Sequence, residues 1–461
     1  MFYSCREISE KWSTWPQWLA AFEVVHLGLS NGLAGGWTSP FLAKLTGPDS
    51  ELAVTNEEAS WIASLVPVGR VLGAMCGSIN VYYFGSKFSV LCTGLPLALS
   101  WIFLIIANSV NWIYAARLLQ GISVGMFFGT VPLYVGEVSH PKIRGAMISV
   151  LISALAIGFI VGNLMGSLMS MWLFSVVSAI PTVGFLLFFA LLPATPHYLV
   201  SQERYDEAAE SILWYQRDAD VKKELESLRR FVTSMKSLTF CETLREFSVP
   251  QNRKALVMVA MVFILLQIGG TYTLGYYMEI ILRRAGVKTL LDPGMAVVVI
   301  GIVGISGGFF AMYANDKYGR KMVLGGSCFG LTISLGLLGA QYVFIDHNLA
   351  TPSLECLPIV AMMAVEFFVN LGIGPVPSTM VSEIFSPRTK SIASCVANMS
   401  SGLFAFVNTK TYQAMIDTMP DQYVIWFYGI VMGLLGVYTV IVLPETKGKS
   451  LQEIQDMLSL K

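Results

Sequence analysis

Long apolar runs separated by short polar turns follow one another along this chain of 461 residues. A run of about 20 apolar residues predicts a helix that crosses a hydrocarbon core about 30 Å thick. The runs that meet this length are 18–38, 59–81, 88–107, 112–133, 146–167, 171–192, 256–280, 294–314, 322–344, 357–377, 391–412 and 422–443. The pattern therefore predicts an all-α membrane protein with twelve transmembrane helices.

One long polar segment, 193–254, separates the sixth apolar run from the seventh. Acidic and basic residues alternate in it, and "SQERYDEAAESILWYQR" and "DVKKELESLRRFV" predict short amphipathic helices. We therefore expect a six-helix bundle at 1–192, a helical linker at 193–254, and a second six-helix bundle with a tail at 255–461.

The distribution of lysine and arginine predicts the orientation in the membrane. An even number of spans places both termini on one side, and the short loops on that side carry most of the Lys and Arg residues, such as Lys142, Lys321 and Lys447. Because positive loops remain in the cytoplasm, we expect both termini and the linker to be cytoplasmic, in a multi-pass protein of the plasma membrane.

The two halves of the chain carry related motifs in the same order. The turn "VYYFGSKF" at 81–88 follows the second predicted helix, and "YANDKYGRKM" at 313–322 follows the eighth. "EVSHPKIR" pairs with "EIFSPRTK", and "LPATPHYL" with "LPETKGKS". Repeated six-helix halves are a transporter architecture in which the substrate binds near the midplane.

Charged residues recur at the predicted cytoplasmic helix ends of both halves. One interpretation is that they anchor these ends in water. The other is that opposite charges form a ring that closes the cytoplasmic side and breaks when the halves separate. The candidate gating residues are Glu137, Arg144, Asp316, Arg320, Glu383 and Arg388.

Composition and charge exclude several other classes of function. The chain is 54% hydrophobic and 13% charged, and its net charge of zero gives no electrostatic basis for binding nucleic acid. The seven cysteines show no CxxC spacing. We therefore expect no metal site and no cofactor, and no Ser/His/Asp arrangement indicates an enzyme.

The motifs together resemble a known family. "GGWTSP", "VPLYVGEVSHPKIRGA", "NDKYGRK", "GIGPVPS", "FVNTKTYQ" and "LPETKGKSLQEI" are similar to the sugar-porter branch of the major facilitator superfamily, and within it to the insect facilitated trehalose transporters. The resemblance implies alternating access and facilitated transport of a small-molecule sugar, trehalose or another saccharide, across the lipid bilayer. We expect a monomer.

By the same resemblance, the sugar contacts lie on the seventh and tenth helices. The expected substrate-binding residues are Gln267, Tyr272, Tyr276, Tyr277, Asn370 and Ser378. Ile152, Leu266 and Gly304 stand where glucose carriers have amides. A less hydroxylated organic solute therefore stays a second hypothesis, and a non-transporting sugar sensor a third. In the first-half gate, Ser86 and Ala194 replace a family Arg and Glu, which implies a weaker latch there.

Charged residues within the predicted spans need a physical reason, because each costs at least about 2.5 kcal/mol in hydrocarbon. Arg117 precedes a glycine pair and favours a structural role, whereas Arg70 and Glu366 lie at similar depth and are candidates for an ion pair or for a substrate or proton role. Proton-coupled sugar porters carry an Asp in the middle of the first helix, where this chain has none. Facilitated diffusion is thus preferred, with proton-coupled symport through Glu23 or Glu366 as the alternative.

Overall fold

The structure is a computed structural model that describes residues 15–48, 50, 52–236, 245–349, 352–386, 389–449, 453–454 and 457. The gating candidate Arg388 lies outside these residues. Helices are the regular secondary structure of the described part, which contains no strand. In the first half they are α1 Trp15–Gly36, α2 Thr38–Leu45, α3 Asn56–Ile105, α4 Val110–Val138, α5 Pro141–Leu168 and α6 Met171–Ala190.

The polar linker forms three short helices, of which the last two correspond to the amphipathic helices predicted from the charge pattern. They are α7 Pro196–Ser201, α8 Tyr205–Tyr215 and α9 Val221–Lys236. Their apolar faces pack around a small core that contains Leu199, Ala208, Ile212 and Leu228. The linker therefore has a hydrophobic core of its own.

The second half contains shorter and more frequently interrupted helices. They are α10 Pro250–Ile268, α11 Thr271–Tyr276, α12 Met278–Arg284, α13 Pro293–Tyr318, α14 Arg320–Asp346, α15 Cys356–Phe368, α16 Pro375–Ile384, α17 Lys390–Thr418 and α18 Asp421–Val442. A π-helical turn, Val369–Ile373, joins α15 to α16. Short 3₁₀ helices lie at Glu246–Ser248 and Pro352–Glu355.

The helices account for the predicted membrane spans. Ten stretches of the described chain are long and apolar enough to cross a membrane. One of them, α3, has 50 residues and is divided at Gly85, where φ is 79° and ψ 172°, so it contains both predicted runs 59–81 and 88–107. The first predicted run corresponds to α1, which has 22 residues and is less apolar than these ten. The twelve-helix fold predicted from the sequence is confirmed.

Spatial contacts group the chain into two compact units. The first comprises Met1–Gly35, Gly69–Gly162 and Met169–Thr239, and the second comprises Gly36–Val68, Asn163–Leu168 and Phe240–Lys461. The division into bundles at 1–192 and 255–461 with a linker at 193–254 stays a prediction.

Within the first unit, the linker is fixed to α1 and α4 by buried hydrogen bonds. The Tyr134 hydroxyl in α4 lies 3.1 Å from the Tyr215 hydroxyl in α8, and Gln17 Nε2 in α1 donates to the Tyr215 carbonyl at 3.0 Å. The Tyr215 hydroxyl also donates to the Pro193 carbonyl at 3.0 Å. These contacts position the linker beside the C-terminal end of α4.

Within the second unit, segment 36–68 packs on helices of the second half. The Glu279 backbone N–H in α12 donates to Ser39 Oγ in α2 at 2.9 Å, and Ser60 Oγ donates to the Lys410 carbonyl in α17 at 2.9 Å. The Lys410 ammonium lies 4.2 Å from the centroid of the Trp61 ring. Hydrogen bonds and a cation–π contact therefore hold these segments together.

Candidate substrate site and gating clusters

A buried polar cluster lies where α10 breaks before α11. Gln267 Nε2 donates to Ser401 Oγ in α17 at 2.8 Å. Asn408 Nδ2 donates to the Gln267 carbonyl at 2.9 Å and to Thr273 Oγ1 at 3.0 Å. Asn408 lies about two helical turns after Ser401 in α17. Gln267 is buried, and its side-chain Oε1 has no hydrogen-bond donor among the described residues. That oxygen is available to accept a hydrogen bond from a bound hydroxyl.

The predicted tyrosine contacts form two pairs of aromatic rings, one between Tyr272 and Tyr276 and one between Tyr277 and Tyr412. The rings of Tyr272 and Tyr276 lie 6.0 Å apart between centroids, and those of Tyr277 and Tyr412 lie 4.6 Å apart. Tyr276 is 7% exposed and Tyr277 is fully buried. The Tyr277 hydroxyl has no hydrogen-bond partner in the described part of the chain, so Tyr277 packs against Tyr412 with a free polar group.

Of the predicted contacts in the tenth span, Asn370 lies within the π-helical turn and Ser378 lies after it. Asn370 Nδ2, within the turn, donates to the Glu366 backbone carbonyl at 2.9 Å and lies 3.4 Å from Glu366 Oε2. Ser378 lies in α16 and is exposed. The structure thus places the Asn370 amide beside the intramembrane carboxylate of Glu366.

The second-half gating candidates form one ionic cluster. Arg320 Nε donates to Glu383 Oε1 at 3.0 Å, and Nη2 lies 2.9 Å from the same oxygen in an ion pair. Arg320 Nη1 donates to the Asn315 carbonyl at 3.1 Å. The other carboxylate oxygen of Glu383 accepts a hydrogen bond from the Thr446 hydroxyl. Asp316 Oδ1 is 4.0 Å from Arg320 Nη1, and the Asp316 side chain is 86% exposed. Asp316 therefore stabilises the cluster less than Glu383 does.

Glu445 completes this cluster at the start of α14. Gly319 has φ 88°, a conformation that favours glycine, and it turns the chain so that the first N–H groups of α14 point to Glu445. The Glu445 carboxylate accepts hydrogen bonds from the N–H groups of Arg320 at 3.0 Å and Lys321 at 3.1 Å. A carboxylate at a helix N-terminus also interacts favourably with the helix dipole.

The first half repeats this geometry with neutral partners. Gly85 has φ 79°, like Gly319, and the residue after it is Ser86 in place of Arg320. The Ser86 hydroxyl donates to the Glu137 carboxylate and lies 3.4 Å from the Thr195 hydroxyl. Hydroxyl groups therefore surround Glu137 where a guanidinium surrounds its counterpart in the second half.

The remaining first-half candidate, Arg144, lies beside His197. Within the described part of the first unit, no carboxylate oxygen lies within 4 Å of the Arg144 guanidinium. Burial first, and then the Arg144 charge, lower the pKa of His197 to about 4. His197 is therefore uncharged near neutral pH and forms no ion pair there.

The charges within the spans differ in their surroundings. Arg117 is 1% exposed, and its Nη1 donates to the Ala34 carbonyl in α1 at 3.0 Å and to Gln120 Oε1 at 2.5 Å. The bond to Ala34 joins α4 to α1, and the structural role expected for Arg117 stays a prediction. Arg70 is partly buried in α3, within the first unit, and Glu366 in α15, within the second. Their pairing stays a prediction.

Several polar residues of the cluster were not among the predicted contacts. Ser401, Asn408 and Thr273 reach Gln267 or its neighbours directly. The motif "FVNTKTYQ" contains Asn408 and marks α17 as a polar helix, but nothing in one sequence shows that its amide turns towards α10.

Comparisons with known proteins agree with this architecture. The model of a family described as sugar (and other) transporters matches residues 27–458. The facilitated trehalose transporter Tret1 of Bombyx mori is 28% identical over 461 residues, which cover 98% of this chain and 89% of that protein. Tret1 of Drosophila mojavensis is 28% identical over 444 residues, 96% of this chain and 51% of that protein. The chain spans about half the length of this and other Drosophila relatives that it matches.

Solved structures show the same fold. The inward open conformation of the xylose transporter XylE from E. coli has a TM-score of 0.78 at 18% identity, and the match covers 96% of this chain and 99% of that one. The proton:xylose symporter XylE bound to 6-bromo-6-deoxy-D-glucose has a TM-score of 0.73 at 18% identity and covers 97% and 100%.

Proposed function

The chain belongs to the family of sugar transporters of the major facilitator superfamily, and from this premise we propose that it carries a sugar by facilitated diffusion. The cargo we propose is trehalose or another saccharide. Trehalose is the cargo named for the Bombyx mori and Drosophila relatives. We further propose that the protein works as a monomer in the plasma membrane, with both termini in the cytoplasm.

The observation that carries the sugar proposal is the buried polar cluster around Gln267. A sugar hydroxyl that loses water on binding and finds no partner costs about 1–3 kcal/mol, so a sugar site needs donors and acceptors inside the membrane. Gln267 Oε1 and the Tyr277 hydroxyl are buried polar groups without partners in the described chain. Both belong to the proposed substrate contacts, which are Gln267, Tyr272, Tyr276, Tyr277, Asn370 and Ser378.

Gating is proposed to depend on the two cytoplasmic carboxylate clusters. Glu383 with Arg320, and Glu137 with Ser86, each tie a turn between two spans to a neighbouring helix. We propose that the full set of gating residues acts as a ring that closes the cytoplasmic side in one state of the cycle. This set is Glu137, Arg144, Asp316, Arg320, Glu383 and Arg388.

The test is counterflow of labelled trehalose and glucose into proteoliposomes that contain the purified protein. Empty liposomes give the background. Gln267→Ala should reduce counterflow strongly, whereas Gln341→Ala, a matched change of another buried glutamine that donates to the Ala285 carbonyl, should reduce it much less. Absence of counterflow for every mono- and disaccharide tested would show that the sugar proposal is wrong.

A second candidate is a carrier of less hydroxylated organic solutes. Leu266 in α10 and Gly304 in α13 are buried and offer no polar side-chain atom at positions where glucose carriers have amides, and this favours the second candidate. Thermal stabilisation by a broad solute panel distinguishes the candidates. Saccharides should raise the unfolding temperature of a sugar carrier, whereas a carrier of the other class should respond to the less hydroxylated solutes and not to saccharides. Repeating counterflow with and without an imposed pH gradient separates uniport, which is insensitive to the gradient, from proton symport.

A further inference from the structure

Two arginines precede a threonine on the exposed face of the linker helix α9. Arg229 and Arg230 lie four and three residues before Thr233, close to the C-terminal end of the helix. Side chains that are three or four residues apart lie on one face of a helix. All three residues are exposed, whereas the intervening Val232 packs against the linker core. The Thr233 hydroxyl therefore lies on the solvent side of α9, one turn after two guanidinium groups.

The contacts of these three residues leave the hydroxyl accessible. Thr233 Oγ1 donates to the Arg229 carbonyl in the preceding turn at 2.8 Å, which is a bond within its own helix. The Arg229 guanidinium lies 5.4 Å from the centroid of the Tyr205 ring at the start of α8. Arg230 pairs with Glu226, and their side chains are 78% and 64% exposed, so the pair contributes little to stability. Both guanidinium groups can therefore turn to another partner at small cost.

This charge pattern fits the substrate groove of one class of protein kinase. Kinases select their substrates partly by the charges around the acceptor hydroxyl. Carboxylates in the groove of a kinase bind a guanidinium through paired, charge-assisted hydrogen bonds. A kinase that binds arginine three residues before its acceptor would accept Thr233 through Arg230, and Arg229 would add a second positive charge.

A second hydroxyl shows that the structure, and not the spacing alone, selects Thr233. Ser248 also follows an arginine, Arg245, by three residues. The residue directly before Ser248 is Phe247, which is only 9% exposed, and its ring lies 6.3 Å from the Phe385 ring between centroids. A kinase would reach Ser248 only by unpacking Phe247. Thr233 needs no such unpacking, because it lies on the outer face of α9.

We propose that Thr233 is a phosphorylation site for an arginine-directed protein kinase that uses ATP. In the transfer, Thr233 Oγ1 forms a bond to the γ-phosphorus of ATP, and the bond between that phosphorus and the β,γ-bridging oxygen breaks. ADP leaves with the electron pair of that bond, and the catalytic base of the kinase takes the hydroxyl proton. The inference rests on the proposed cytoplasmic location of the linker, because ATP and protein kinases are found there.

The phosphate should loosen the end of α9. It carries a charge of about −2 at neutral pH, and an anion near the C-terminus of a helix opposes the helix dipole. It would also draw Arg229 away from the Tyr205 ring and so weaken a contact between α9 and α8. Phe231 lies in the same part of α9, and its ring is 6.0 Å from the His197 ring in α7. Phosphorylation should therefore release the end of α9 from α7 and α8.

The experiment incubates the purified protein in detergent with ATP labelled in its γ-phosphate and a kinase that requires arginine three residues before the acceptor. A peptide of residues 225–236 is the positive control for recognition. We expect label in wild type, no label above background at residue 233 in Thr233→Ala, and labelling about 10-fold slower in Arg230→Gln. Ser248→Ala, the matched change of a hydroxyl with the same arginine spacing, should keep the wild-type rate.

Hydrogen–deuterium exchange tests the consequence of the modification. The α9 amides should exchange about 2- to 5-fold faster in the phosphorylated protein. Thr233→Glu should reproduce part of this increase, whereas the uncharged Thr233→Gln should not. Thermal unfolding of each purified variant reports whether it is folded.

The outcomes that would overturn the site differ from those that concern the orientation. An unlabelled peptide, an unlabelled folded protein, or equal labelling of wild type and Thr233→Ala would overturn the site itself. Unchanged exchange in phosphorylated protein would overturn the release of α9. Sealed membrane vesicles with kinase and ATP added outside test the orientation: label should enter inside-out vesicles. Label confined to right-side-out vesicles would instead overturn the proposed cytoplasmic location of the linker.

Discussion

Replacing Arg320 by Ser gives the second-half cluster the residue that the first half already has at position 86. Arg320 donates one hydrogen bond to Glu383 at 3.0 Å and one to the Asn315 carbonyl at 3.1 Å, and its Nη2 forms an ion pair with Glu383 at 2.9 Å. The serine can replace at most one of them. We therefore expect Arg320→Ser to destabilise the protein more than the matched change Ser86→Ala, which removes one hydroxyl from Glu137.

The size of the effect follows from the burial of the pair. Breaking a fully buried ion pair from one side costs about 3–5 kcal/mol, because it leaves an uncompensated charge. The side chains of Arg320 and Glu383 are 18% and 24% exposed, so water solvates part of the charge that is left unpaired. We therefore expect Arg320→Ser to lower the free energy of unfolding by about 2 kcal/mol. Ser86→Ala removes one hydrogen bond and should cost about 1 kcal/mol.

The assay is denaturant unfolding of the purified protein in detergent, followed by tryptophan fluorescence. Adding Glu383→Gln to the Arg320→Ser variant should recover part of the loss, because the unpaired charge is removed, and the double-mutant cycle isolates the coupling energy. Equal destabilisation by Arg320→Ser and Ser86→Ala, or zero coupling between Arg320 and Glu383, would refute the reasoning.

Three further predictions follow from local contacts. Burial lowers the pKa of His197 from 6.5 to about 4. The stabilisation by neutral His197 should therefore be fully present above pH 6.5 and be lost towards pH 4, which lowers the free energy of unfolding of wild type by on the order of 3 kcal/mol. The His197→Phe variant, followed by the same unfolding assay, should lack this loss. The backbone N–H groups of residues 288–290 lower the pKa of Glu355 to about 2. The difference in unfolding temperature between wild type and Glu355→Gln should therefore be largest above about pH 4.5 and vanish as the pH falls through about 2. A difference that does not depend on pH would contradict this. The methyl group added by Gly304→Ala would lie 3.1 Å from Asn370 Nδ2, so this variant should weaken trehalose counterflow. Gly308→Ala should leave counterflow unchanged, because no atom lies within 4 Å of its Cβ position.

The membrane spans and the internal repeat follow from the sequence because each depends on local pattern. The length of apolar runs predicts the helices, and the motif "YANDKYGRKM" locates the turn in which Gly319 takes its positive φ. The linker helices follow from their amphipathic charge pattern. The break of α3 at Gly85 is likewise predictable, because the shorter motif "VYYFGSKF" keeps that glycine.

The polar cluster around Gln267 could be predicted only in part. Family resemblance identifies Gln267 itself, but its bond to Ser401 joins residues that are 134 positions apart. That bond depends on how α10 and α17 are rotated about their axes, and hydrophobic periodicity cannot fix the rotation of a helix that is apolar on nearly every side. The π-helical turn that sets the direction of Asn370 has the same origin, since its hydrogen-bond register is decided by packing against neighbouring helices.

The two gating clusters show how duplicated halves diverge in chemistry without diverging in backbone. Gly85 and Gly319 keep the same left-handed conformation, so the turn itself is constrained by geometry, whereas the partner of the carboxylate has changed from a guanidinium to a hydroxyl. A hydrogen bond between a hydroxyl and a carboxylate needs no second charge, and salt screens it less than it screens a partly exposed ion pair. Raising ionic strength should therefore weaken the Arg320 cluster more than the Ser86 cluster, and the destabilisation caused by Arg320→Ser should shrink in high salt while that of Ser86→Ala stays constant.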